Sequence, residues 1–490
     1  LGNLAGILHT IHGRSRRKKV VLPFLIVFLL AVPAPALAER ARVKSYDLAV
    51  SFEPPEHRIT GKAGIQFESV ARKAGELVFY LHHGVRVDSL RIAGAAVPVL
   101  QESVPYYYNY STMATRVVVP DPGFVVGDMT VWYSGEFHAS DVRTPSDYMR
   151  IDETGIYLRS YGYSLWFPVF LEAGEDSYPV SFNDVVLETP ADFVSVFTDT
   201  FVRHWEKGER RFCQWTADSV DLMDVQCTAR RYAVKRDGEF YVYFLEDPDA
   251  RASARAVIGF TKRLATFYRA NYRRSASSGQ IHVMQMPEYG DISSGSVVGI
   301  SGRVWSRFEN ETDPQITLAH ELVHPFVDIP VKMSNPLYAL VVEGFPSYFH
   351  LTALQQILKG DFYENFLQTR RTEYLRKRKT GKDPRGRPLP REKPLLEMTP
   401  EDIGEYKDRF VLNDRVLLLM DYVRRQMGGR KFFQFTRDLL NRDELTYASF
   451  VETILAYVRD SRDAEVTEDL RVWLETTALP EGFSDKQQRW

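Results

Sequence analysis

The chain has 490 residues, 44% of them hydrophobic and 26% charged, with a formal net charge of -2 and two cysteines. So even a charge balance gives no reason to expect a nucleic-acid partner, and two cysteines are too few for a disulfide-built scaffold. The length is sufficient for two or more domains around a large core.

Near the start, Arg14, Arg16, Arg17, Lys18 and Lys19 precede an apolar run from Val20 to Val32 and then the small-residue stretch Pro33 to Ala38. Basic, apolar and small regions in that order are what an export signal needs, with Ala36 and Ala38 at the small positions before a cut that leaves Glu39 first. The alternative is a retained membrane anchor. Residues 1–38 are therefore read as a targeting segment, and the protein is expected to be exported, periplasmic or secreted, with membrane association through this segment if it is retained.

From residue 39 to 235 the pattern is that of strands. Apolar residues alternate in Tyr46, Leu48, Val50 and Phe52, in Leu77, Phe79 and Leu81, in Val85 and Val87, and in Met129, Val131 and Tyr133. Turn residues separate these runs, among them Pro54-Pro55 and Asp121-Pro122-Gly123. The expected fold is an N-terminal β-sandwich-like domain. Cys213 and Cys227 both fall in it, and either close a disulfide in an oxidising compartment or stay buried as thiols.

A second domain, 236–490, begins with a last strand containing Phe240, Val242 and Phe244, after which the pattern changes. Val257, Phe260, Leu264, Phe267 and Tyr268 then recur at helical spacing. A short strand, Ile281 to Met286, a Gly/Ser-rich turn, Gly290 to Gly295, and an edge strand, Val297 to Ser301, come next. The basic stretch Arg370 to Lys393 is read as a solvated loop, with a lip for acidic substrate as the alternative. Helical stripes return after Phe410. The class is thus multidomain, β then α+β, with a small sheet and a mainly helical second half.

Within that second half lies His320-Glu321-Leu322-Val323-His324, followed after 18 intervening residues by Glu343. On a helix, histidines four apart leave the same face and can hold one metal ion, with the intervening glutamate beside them. Glu343 on a second helix adds an oxygen ligand and leaves a position open, which is the layout of a catalytic zinc site with one ion per chain. Thr312, Asp313 and Pro314 supply a helix start, and Pro325 predicts a kink or an end directly after His324.

Together these residues resemble the zinc metallopeptidases of the aminopeptidase N type, whose third ligand is a glutamate 18 residues beyond the second histidine. Tyr46-Asp47-Leu48, Leu165-Trp166-Phe167-Pro168 and Leu474-Glu475 with Leu479-Pro480 extend the resemblance along the chain. It implies a thermolysin-like catalytic domain, peptide or protein substrates, zinc on His320, His324 and Glu343, and Glu321 as general base. Two positions depart from the family. Where its G-x-M-E-N segment holds the substrate amine on a glutamate, distance from Gly299 places Ser296. Where its oxyanion-stabilising tyrosine belongs, registers give Asn413 or Phe410, and the nearest tyrosine is Tyr406. The expectation is a metallopeptidase of open end-specificity, with Ser296 and Gly299 beside the substrate, or alternatively a zinc-bound, weakly active binding protein of the cell envelope.

Overall fold

The computed structural model describes residues 42–483 apart from 69–75, 108–110, 121–126, 138–148, 160–163, 173–174, 176, 273–278, 287–290, 328, 330, 333, 359, 400–401, 403–410, 443–444, 459–461 and 481–482. The targeting segment, 1–38, lies outside the described residues.

The alternation read in Tyr46 to Phe52 is that of Val43–Glu53, a strand near the middle of an eight-stranded sheet. It runs parallel to Pro179–Pro190 and antiparallel to Arg58–Phe67. Its inward residues are fully buried because both neighbours pleat in register with it. A three-stranded sheet carries Leu77–His82, and a four-stranded sheet carries Gly155–Arg159. The expected sandwich is therefore several sheets over one core, with no closed barrel among the described residues. Its centre is aromatic: Tyr46 stacks on Phe182 at 5.2 Å, and the Tyr46 hydroxyl donates to the Pro168 carbonyl at 2.9 Å. The Trp-Phe-Pro segment thus serves packing.

A five-stranded sheet follows, in the order Tyr232–Asp237, Phe240–Leu245, Ile281–Gln285, Val297–Ile300, Ile292–Ser294. The strand expected to close the β region instead pairs in parallel with Ile281–Gln285 inside this sheet. Its two faces go to different cores. Tyr241, Tyr243, Met284 and Val297 pack into the aromatic β core, whereas Phe240, Val242, Val283, Val298 and Ile300 pack under helices. Period-two alternation makes one sheet a wall common to both.

The order also corrects a strand assignment. Val297–Ile300 is flanked on both sides, and the edge strand is Ile292–Ser294, antiparallel to it. The hairpin turns at Gly295, whose φ of +53° is left-handed, so what reads as a Gly/Ser turn is half strand.

Helix α1, Pro248–Asn271, covers the helical face of the sheet. Asp247 caps it by accepting from the Ala250 amide at 2.7 Å. After the short α2, Gly302–Trp305, comes α3, Thr312–Val327, with Pro314 in its first turn. Pro325 does not stop α3 where expected; two further residues remain helical, and Phe326 and Val327 bury there. A π-helical turn, Leu340–Gly344, leads into α4, Phe345–Leu358, and then α5, Phe362–Thr380. Gly360, with φ +64°, separates the last two. The first part of the basic stretch read as a loop, Arg370 to Thr380, is instead helical on α5, where Lys377 pairs with Asp414 at 2.5 Å and Arg378 with Glu392 at 3.3 Å.

Candidate metal centre

His320 and His324 sit one turn apart on α3, their ring centroids 5.0 Å apart and their planes at 88°. Just before them the backbone is held from behind, where the buried Tyr268 of α1 donates its hydroxyl to the Ala319 carbonyl at 2.8 Å. Glu343 arrives from the π-helical turn, and its Oε2 stands 3.4 Å from His320 Nε2. One ligand atom from each of the three lies within 4.8 Å of the others. The π turn matters because an extra residue in the turn re-aims the side chains around it, a local irregularity typical of functional sites.

A second π-helical turn, Val411–Val416, packs against the first. The contact is close at Gly344, where an added Cβ would meet Val416 Cγ1 at 2.5 Å. Gly344→Ala is expected to cost about 1–3 kcal/mol through overpacking and to move Glu343. Denaturant unfolding and metal affinity measured on the same variant check both parts, and an unchanged affinity would show that the two turns do not share the site.

The donors suit a divalent ion. Burial pushes the His324 imidazole down to about 4, with repulsion from His320 adding to it, so its lone pair is free at neutral pH. Two imidazoles and one carboxylate form the three-ligand set of a catalytic zinc centre, so the residues present fit the ion. Glu321 lies beside them. Burial raises its carboxyl to about 7, His320 opposes this, and Asp291 and Glu343 add to it as like charges. Arg159, at the end of strand Gly155–Arg159, acts on both Glu321 and His324. The β region thus contributes a cation at the rim of a centre that the helices build.

Ser296 is 2% exposed at the hairpin turn; its carbonyl accepts from the His282 amide at 3.0 Å, and its hydroxyl is buried without a hydrogen-bond partner. Gly299 pairs with Met284 on one side and Ile292 on the other, so its backbone is occupied within the sheet. Tyr406 and Phe410 lie outside the described residues, as does the side chain of Asn413. Cys213 and Cys227 are free buried thiols, which corrects the disulfide alternative. They belong to strands of different sheets and pack as small apolar groups in the core, where burial pushes both thiols up.

Three residues near the centre escape a motif reading. Asp291 heads the edge strand, and its Oδ1 accepts from the Ser301 amide at 2.8 Å. Arg159 comes from a strand far away in sequence. His350 follows Glu343 by seven residues on α4, with its ring 5.4 Å from that of His320. Burial holds its imidazole well below the usual range, with His320 adding to the effect, and the ring is neutral. Only the seven-residue spacing, two helical turns, was a signal in the sequence.

A β region of several sheets, a shared five-stranded wall and helices carrying two histidines and a glutamate define the fold of the M1 zinc metallopeptidases. The chain matches the M1 zinc metallopeptidase of Deinococcus radiodurans with a TM-score of 0.61 at 17% identity, over 90% of this chain and 96% of that one. A form of that enzyme bound to a Tyr-Ser-Ala substrate matches at 0.60 and 18% identity, over 90% and 96%. Yeast LTA4 hydrolase matches at 0.63 and 14% identity, over 90% of this chain and 69% of that one. No family sequence model matches, and no curated protein matches by sequence.

Proposed function

We propose that the protein is a zinc-dependent metallopeptidase that removes residues from the amino end of peptides. The carrying observation is the His320, His324 and Glu343 cluster with the half-buried Glu321 beside it, its carboxyl raised to about 7 by desolvation. Those three residues would hold a zinc ion, which would supply Lewis acidity toward a peptide carbonyl. Glu321 takes a proton from the attacking water on its carboxylate and delivers it to the leaving amine. The edge strand Ile292–Ser294 offers unpaired backbone to an extended peptide, which adds as a further strand. Asp291, at the head of that strand and near enough to act on Glu321, supplies the carboxylate for the substrate amine that Ser296 lacks. The tripeptide held by the Deinococcus radiodurans enzyme supports a short-peptide substrate. We further assign residues 1–38 to export, 39–235 to the β domain and 236–490 to catalysis, on the basic, apolar and small pattern at the start and the change from strands to helices. Among the described residues, no helix is long and apolar enough to cross a membrane.

Zinc content and a peptide-library digest test the reading. We expect about one zinc per chain, cleavage lost on chelation and restored by zinc, and trimming of free but not acetylated amino ends. Asp291→Asn keeps the acceptor for Ser301 and removes the charge, so KM for free-amine peptides should rise about 10–100-fold, the worth of one charge-assisted hydrogen bond. Cleavage within acetylated peptides at an unchanged rate would refute the end-recognition, and stoichiometric zinc without hydrolysis would refute the peptidase.

A further inference from the structure

We infer that His350 is a positioning residue for His320, its bare Nε2 accepting the imidazole N–H that His320 presents away from a bound metal. The inference rests on the metal reading above. His350 Nδ1 lies 2.9 Å from the Pro346 carbonyl, and since a carbonyl can only accept, Nδ1 carries the ring proton. Nε2 therefore holds a lone pair and no hydrogen. The residue is 5% exposed, and Nε2 is buried with no hydrogen-bond partner. Sealing an acceptor from water in this way is unfavourable unless something donates to it.

His320 is the neighbour placed to do so. Its ring centroid is 5.4 Å from that of His350, with the planes at 80°, a separation of the size that one N–H···N bond between two imidazoles spans. His320 directs Nε2 toward Glu343, so its Nδ1 is the nitrogen on the side away from the ligand cluster. A metal-binding imidazole carries its proton on the nitrogen opposite the metal and gives it to an acceptor that fixes the ring. His350 lies outside the set whose ligand atoms fall within 4.8 Å of one another, which separates an orienting role from ligation. Because the acceptor is a neutral nitrogen rather than a carboxylate, His320 gains less electron density, and the ion it holds stays a stronger Lewis acid.

The test compares the full chain with His350→Gln, His350→Leu and His350→Asn. The amide oxygen of Gln reaches the place of Nε2, whereas Leu has no acceptor and Asn is too short. Zinc affinity by chelator competition should fall about 10–100-fold in the Leu and Asn variants and stay within about threefold of wild type in the Gln variant. The absorption spectrum of the cobalt-substituted protein should keep the same ligand count in all forms, and thermal unfolding of the metal-free proteins checks the fold. If Leu fails to fold, the Asn and Gln pair decides. Wild-type affinity in both Leu and Asn, equal loss in Gln, or a cobalt spectrum that loses a nitrogen ligand would each overturn the inference. A wild-type chain that binds no zinc would instead overturn the metal reading on which it stands.

Discussion

Glu321→Gln should lower turnover by about 10²–10⁴-fold, the usual worth of a positioned proton acceptor, with zinc stoichiometry unchanged. The amide is nearly isosteric, so α3 and the ring geometry of His320 and His324 persist. What disappears is the capacity to accept a proton beside the centre. Its carboxyl is shifted to about 7 by desolvation and so costs stability when ionised, and the variant should be at least as stable as the wild type. Stopped-flow hydrolysis of a short peptide, metal analysis and denaturant unfolding on one preparation give all three quantities. Residual turnover within tenfold of wild type would mean that another group moves the proton.

Arg415→Met should have the largest effect on stability, about 3–5 kcal/mol. Arg415 is 0% exposed, and its guanidinium donates to Glu392 at 2.7 Å and to the carbonyls of Trp473 at 2.7 Å and Thr476 at 2.6 Å. It ties the π turn Val411–Val416 to the end of helix Asp463–Glu475. Methionine fills most of the space but leaves Glu392 without that partner and several carbonyls without donors, and unpaired buried groups cost more than the pair contributes. Because this π turn backs the one carrying Glu343, zinc affinity should weaken as well. Equilibrium denaturation with and without zinc measures both, and a loss below about 1 kcal/mol would show that the C-terminal helix is held by its apolar contacts, Trp473 included.

The ligands were legible because helical geometry converts a spacing of four directly into a shared face, and no distant contact can change that. Strand identity in the β region was legible for the same reason, since alternation in Tyr46 to Phe52 or Met129 to Tyr133 records burial on one face. Strand order was not. Whether Val297–Ile300 or Ile292–Ser294 lies at the edge depends on a left-handed turn at Gly295 and on pairing with Ile281–Gln285, neither of which a periodicity carries. Asp291 and Arg159 were missed because their place in the centre comes from tertiary structure, and His350 because an isolated histidine on an apolar helix looks like packing. The buried Cys213 and Cys227 show the converse: a spacing compatible with a bridge says nothing about which sheets the two strands join.

The common wall bears on how the chain matures. Tyr241, Tyr243, Met284 and Val297 complete the aromatic β core, yet they are made after every strand of that core. A nascent chain halted near residue 235 leaves one flank of the core open to water, and synthesis must reach Val297 before that flank is covered. During those sixty-odd residues the emerging β region is a client for holding chaperones.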